Sequence, residues 1–473
     1  MNNRISKIIK NFSYTLTSNL ISMLISVLMV LFIPKIINLG DYSYWQLFIF
    51  YTSYVGLFNI GWVEGVYLKY GGLKYSDLNK RIFSTQFWYF TIYIAVISLI
   101  LVLYIYARMD NFDKKFIMYM VSIYILLTVP RGFLLFVLQA TNEIKKFSKI
   151  MILDRLLYCL FLVLAFAFNF VNYKSLIYID LISKIITTII SLIICKEIIN
   201  LKFVSLQQGL RETFDNIKVG IKLLIANLVG LFIIGLVRLG IERNWNIETF
   251  GKISLTMSIS NLFMVFINAA GIIMFPLLRQ IPEGKLPKMY KTMRDMLMIP
   301  LFSLFVLYYP MKEILTNWLP HYAESLKYMA LLFPMCIFES KVALLINTYL
   351  KTLRKEKLIL KANIYTLILT VVSIAITIGL LNDLTTTVIS IVFLLAFRCI
   401  VSEILLARYL KISVEKDIVL ELFMTITFML VGWILNSISG FFVYVIIYTI
   451  YMLLKKKDIN KLLILLKSQF NSN

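Results

Sequence analysis

Arg131, Lys184, Arg238, Lys341 and Arg398 fall inside long apolar stretches of this 473-residue chain. A full charge at bilayer depth costs about 2.5–3.5 kcal/mol on insertion scales, so such groups persist only where something offsets them. The default reading is a polar cavity inside a membrane bundle that moves an anionic or polar cargo. Arg131 stands out. Segment 116–140 holds no carboxylate, and Pro130 beside it removes a backbone hydrogen bond and bends the helix. Lys341 and Glu339 are two residues apart, on nearly opposite helix faces, and neutralise each other poorly. Arg398 has Glu403 five residues on, a poor partner along one face. For Arg131 the alternative is a carboxylate on another helix and a purely structural role.

Other intramembrane charges carry a local explanation. Asp180 and Lys184 have the i,i+4 spacing of a self-neutralised pair, as do Arg238 and Glu242, and Arg238 can also snorkel to the interface. Asp154 and Arg155 sit near a span end and are expected to anchor the interface. Glu339 and Asp180 are the clear mid-span acids, and so the candidates to carry a coupling ion, proton or sodium.

Several chemistries have no residues to support them. There is no G-x-x-x-x-G-K-[ST] loop to cradle phosphates and no H-E-x-x-H metal motif. One histidine and four cysteines, none in a C-x-x-C arrangement, give neither a metal site nor a disulfide framework. No cofactor is expected. The connecting segments are short, so no catalytic loop domain is expected either, and the chain is not read as an enzyme.

The elements that position these charges follow from composition. The chain is 60% hydrophobic and 15% charged, with mean hydropathy +0.84, against roughly 45–50% and 25% for a soluble domain. About 20 apolar residues cross a bilayer as a helix. By that measure an all-α integral membrane protein with 14 transmembrane helices is expected, at about 12–34, 44–66, 84–107, 116–140, 150–170, 176–195, 221–241, 252–277, 296–315, 326–350, 359–380, 385–407, 418–435 and 439–454. With both termini cytoplasmic, the inner segments hold 33 of the 48 Lys and Arg residues and the outer loops 8. That is the positive-inside bias. The net charge of +23 is therefore spread over short inner segments that favour anionic membrane lipids, with no stripe for nucleic acid. Two lobes are expected, 1–220 with spans one to six and 221–410 with spans seven to twelve. Residues 411–473 add two further spans and a basic cytoplasmic tail.

A faint repeat supports that division. Tyr42-Ser43-Tyr44-Trp45-Gln46-Leu47 opens span two, and Phe250-Gly251-Lys252-Ile253-Ser254-Leu255 opens span eight in the same orientation. With Leu39-Gly40, Asn59-Ile60-Gly61, Lys69-Tyr70-Gly71 and Leu138-Gln139-Ala140-Thr141-Asn142, these strings make the chain resemble the polysaccharide (O-antigen type) flippases of the multidrug/oligosaccharidyl-lipid/polysaccharide exporter superfamily. The resemblance implies two pseudo-repeated lobes around a central, often cationic cavity in the bacterial inner membrane. It implies alternating access that moves an undecaprenyl-pyrophosphate-linked oligosaccharide from the inner to the outer leaflet for surface polysaccharide. Peptidoglycan-precursor flippases of the superfamily carry arginines in their first helix; span one here has none. A multidrug or small-molecule antiporter of the same architecture is the alternative, with an excess of acids expected in its lumen.

Overall fold

The computed structural model describes residues 20–200, 203–279, 284, 286–435, 437–456 and 458, and of these no side chain at 226, 263 or 265–279. Arg4, Lys7, Lys10 and nearly all of the basic tail lie outside the described residues.

In lipid every backbone polar group must be satisfied within the protein, so apolar runs become helices. Among the described residues there is no strand. The helices are α1 (Leu20–Ile36), α2 (Leu39–Thr52), α3 (Trp62–Tyr70), α4 (Lys80–Arg108), α5 (Phe112–Ala140), α6 (Ile144–Ala167), α7 (Tyr173–Ile194), α8 (Lys196–Ile199), α9 (Leu206–Asn244), α10 (Ile247–Arg279) and α11 (Leu286–Trp318). They continue as α12 (Met329–Thr352), α13 (Glu356–Leu380), α14 (Leu384–Leu410), α15 (Glu415–Ile434) and α16 (Ser437–Leu454). Side-chain caps fix several starts. Asn79 accepts from the N–H groups of Arg81 and Ile82 at α4, and Asn172 and Ser175 form a capping box at α7. Asp383 accepts from Thr386 at α14. Asn142, Asn169 and Asn382 take the left-handed conformation in the turns after α5, α6 and α13, where a short polar side chain tolerates it.

Ten described helices are long and apolar enough to cross a membrane, and α9 makes eleven when counted as one span. The ten correspond to ten of the expected spans. The others are 12–34, whose start is outside the described residues, 44–66, 221–241 and 252–277. Segment 44–66 is broken: α2 ends at Thr52, a 3₁₀ turn follows, and Ile60 and Gly61 take positive φ before α3 begins. Asn59 and Glu64, which interrupt its hydrophobicity, sit on either side of that break.

The chain divides into two compact units, Met1–Leu228 and Val229–Asn473. In the first, α5 is central: α2, α3, α4, α6 and α7 all pack on it, and 61% of its apolar window is buried against 22% for α4 and α6. In the second, α12 is central, 89% buried, with α10, α11, α14 and α15 around it. Each central helix carries a backbone irregularity beside a buried cation. Pro130 precedes Arg131 in α5, and a π-helical turn, Lys341–Ile346, opens at Lys341 in α12. Wide turns of this kind recur at functional sites.

Candidate functional site

In the first unit the charges converge on one carboxylate. Asp154 of α6 is 3% exposed. It accepts from Lys184 Nζ of α7 at 2.6 Å and from Arg131 Nη1 of α5 at 3.3 Å. Thr187 donates to the same carboxylate at 3.2 Å and itself accepts from Arg131. Lys184 also lies 3.5 Å from Asp180, one turn before it on α7. Three helices are thus tied at a point that hydrocarbon alone would not hold.

Beside this cluster lies a cavity of about 240 Å³. Trp45 and Phe48 of α2, Tyr124 of α5, Tyr158 of α6 and three charged residues, Arg155, Asp180 and Lys184, form its walls. Among the described residues no carboxylate comes within 4 Å of the Arg155 guanidinium, whereas Arg131 and Lys184 each have such a partner. Arg131, Arg155 and Lys184 against Asp154 and Asp180 leave one positive charge in excess. An anion entering the cavity therefore meets a cation that no carboxylate touches, between aromatic side chains.

The second unit closes its charges off. Lys341 is 1% exposed and donates to Glu403 of α14 and, at 2.6 Å, to Glu421 of α15. Arg294 of α11, 2% exposed, reaches Glu403, Asp417 and Glu421, each at 2.7 Å. Tyr290 donates to Glu403 at 2.9 Å. Just after α16, Lys455 bonds Asp295 at 2.8 Å and Asp417 at 2.6 Å. Burial works to lower the pKa of Lys455, and the bonds to the two aspartates outweigh it and hold it above the ordinary lysine value.

A more open pair lies elsewhere in this unit. Arg398 donates to Glu339 Oε1 and to Asn363 Oδ1, both at 2.9 Å, with the side chains of Arg398 and Glu339 11% and 22% exposed. Arg238 donates to Ser254 at 2.9 Å and lies 5.3 Å from the Phe250 ring.

Of the residues singled out in the sequence, Arg131, Lys184 and Asp180 meet in the first unit. Lys341 stands in the sealed network, and Glu339 pairs with Arg398. Glu403 serves Lys341 and Arg294. Asp154, expected at the interface, is the buried centre of its cluster, and its neighbour Arg155 lines the cavity. Arg294 precedes the apolar run that begins at 296, so hydropathy alone leaves it in an inner segment. Its signal is periodicity: Leu286, Tyr290, Arg294, Met298 and Leu301 recur at three- and four-residue steps and are all buried. Glu421 lies inside the expected span 418–435, near its start, on the buried face of α15 with Ile418, Met424 and Thr425.

No family model matches the chain, and no curated protein matches it. Solved structures do. The chain is similar to the lipid II flippase MurJ in an inward closed conformation, with TM-score 0.58 and 11% identity over 95% of this chain and 100% of the other. It is also similar to an inward-facing multidrug resistance MATE family transporter of the MOP superfamily, with TM-score 0.57 and 10% identity over 82% and 96%. At these identities the likeness is one of fold. The chain is a multi-pass membrane protein with the fold of MOP-superfamily transporters, and both neighbours are transporters or flippases, not enzymes.

Proposed function

We propose that this protein flips a lipid-linked oligosaccharide, carried on undecaprenyl pyrophosphate, from the inner to the outer leaflet of the bacterial cytoplasmic membrane for surface polysaccharide assembly. The observation that carries this is the cavity of the first unit, with its excess cation and aromatic walls. A pyrophosphate brings negative charge that Arg155 and Lys184 bind, and aromatic faces such as Trp45 and Tyr158 suit the first sugar ring. At about 240 Å³, just below the usual ligand-pocket range of roughly 300–1,000 Å³, the cavity takes a head group and not a whole repeat unit.

Arg131 acts one step back, by holding Asp154 and, through it, Lys184. Arg398 with Glu339 offers a second, partly open cation in the other unit, and Arg238 is a lesser candidate. Lys341 holds its network together. Both termini are cytoplasmic on the distribution of Lys and Arg, and Asp180 or Glu339 can take the coupling proton or sodium during alternating access.

The test is transport of a fluorescent undecaprenyl-pyrophosphate oligosaccharide in proteoliposomes. Arg155→Ala should slow it at least about tenfold, which corresponds to 1.4 kcal/mol, while the protein elutes and melts as the wild type does. Wild-type transport by that variant removes the head-group site. One observation favours a second function, a small-molecule antiporter: Asp180 faces the same cavity and can accept a cationic drug. Increased drug susceptibility of a deletion strain with intact surface polysaccharide would select it.

A further inference from the structure

Away from the transport cavity, the first unit carries a groove whose chemistry is that of a lipid. Helix α7 stops at Ile194, Cys195 turns the chain, and the single turn α8 runs back under the start of α4. Trp88 of α4 pins that turn, its indole N–H donating to the Ile199 carbonyl at 3.0 Å. Beneath the turn opens a space of about 520 Å³, floored by Trp88, Leu192, Ile193 and Ile199 and edged by Lys196 and Asn200. A second space of about 230 Å³ shares Asn200 and is edged by Lys80, Arg81 and Glu197. Ile193, in the floor, is 64% exposed.

The rim is cationic. Arg81 and Lys196 are exposed, and among the described residues no carboxylate lies within 4 Å of either. Lys80 has Glu197 at 3.4 Å, with the Glu197 side chain 59% exposed and free to swing away. Three cations against one acid stand at the rim. The level is also fixed. The four consecutive spans α4 to α7 alternate direction, so the start of α4 and the end of α7 lie at the same membrane face. A tryptophan and a row of basic residues at a span end are the features of an interface.

We propose that this groove binds an anionic membrane phospholipid, its phosphate held by Arg81 and Lys196 and one acyl chain lying along Trp88, Leu192, Ile193 and Ile199. Charge complementarity selects that occupant: an apolar floor alone accepts any lipid chain, whereas basic pockets between spans at the cytoplasmic face select anionic head groups. The cytoplasmic placement rests on the orientation proposed above; the head-group preference does not.

Native mass spectrometry of the full-length protein, incubated in detergent with phosphatidylglycerol or with phosphatidylcholine of the same acyl chains, tests this. The wild type should retain phosphatidylglycerol about tenfold better, the equivalent of one to two surface cations. R81A/K196A, two exposed positions, should bring the ratio near one. I193E should reduce retention of both lipids. R155A should keep the preference whether or not it transports, which separates this site from the transport cavity. Equal retention of both lipids by the wild type overturns the proposal, as does an unchanged preference in R81A/K196A. Displacement of phosphatidylglycerol by equimolar undecaprenyl phosphate overturns it too, by assigning the groove to cargo.

Discussion

Each unit buries a cluster of charges, and the two use them differently. Around Asp154, cations outnumber acids, one arginine faces open space, and the cluster borders a cavity. Around Glu403 and Glu421, the acids Asp295, Asp417, Glu403 and Glu421 outnumber the cations Arg294, Lys341 and Lys455, and the central groups are almost fully enclosed. A buried ion pair is weak evidence for stability, but breaking one by removing a single partner costs about 3–5 kcal/mol. The closed cluster is thus read as a fastening among α11, α12, α14 and α15. The open one combines fastening and binding, with the two tasks on adjacent residues, Asp154 and Arg155.

That contrast can be broken by substitution. The largest effect is expected from Arg294→Met, which strips a cation from three carboxylates at once. Folded yield in detergent should collapse, with a loss at the upper end of about 3–5 kcal/mol. A monodisperse protein with wild-type melting would show that the closed cluster fastens nothing. Asp154→Asn comes next. It leaves Arg131 without a carboxylate and Lys184 with Asp180 alone, and a loss of about 3 kcal/mol is expected in thermal unfolding, together with loss of transport. Arg155→Ala should separate the two tasks, with stability within about 0.5 kcal/mol of wild type and transport largely gone; a melting loss as large as that of Asp154→Asn would erase the distinction. Arg398→Lys probes the half-open pair. A lysine cannot span Glu339 and Asn363 as the planar guanidinium does, so a partial transport loss with normal melting is expected. Smallest is Lys69→Ala, which removes an interfacial pair with Glu212 at 2.7 Å, its side chains 35% and 16% exposed. A few tenths of a kcal/mol is the expected scale, and transport should not change.

What the sequence disclosed follows from what hydropathy measures. An apolar window reports that a segment can enter lipid, so the ten long spans were legible, as were cations such as Arg131 and Lys341 stranded within them. It does not report which way a side chain faces. Asp154, 23 residues from Arg131 and 30 from Lys184, becomes their partner only through the packing of α5, α6 and α7. Arg294 was hidden because α11 starts about three amphipathic turns before its apolar stretch, and in those turns Tyr290 and Arg294 face the interior. Arg155 was hidden by its neighbour: two opposite charges in succession look like an interfacial pair, yet successive helix positions point in different directions.

The break between α2 and α3 bears on how the chain is made. A β-carbon on Gly65 would sit 1.8 Å from the Asn216 carbonyl oxygen, and one on Gly220 would sit 1.9 Å from that of Gly61. Helices α3 and α9 therefore touch backbone to backbone, and Lys69 and Tyr70 both bond Glu212 across the same contact. The segment that leans on α9 is the one whose own hydrophobicity is interrupted. During synthesis it emerges some 140 residues ahead of its support (Lys69 to Glu212 is 143). At roughly 5–20 residues per second that is an interval on the order of ten seconds. For that time the newborn α3 has no partner for its glycine face and is open to quality-control proteases or to a chaperoning insertase. Nascent chains halted before α9 should be cut between α2 and α3, and chains halted after it should not.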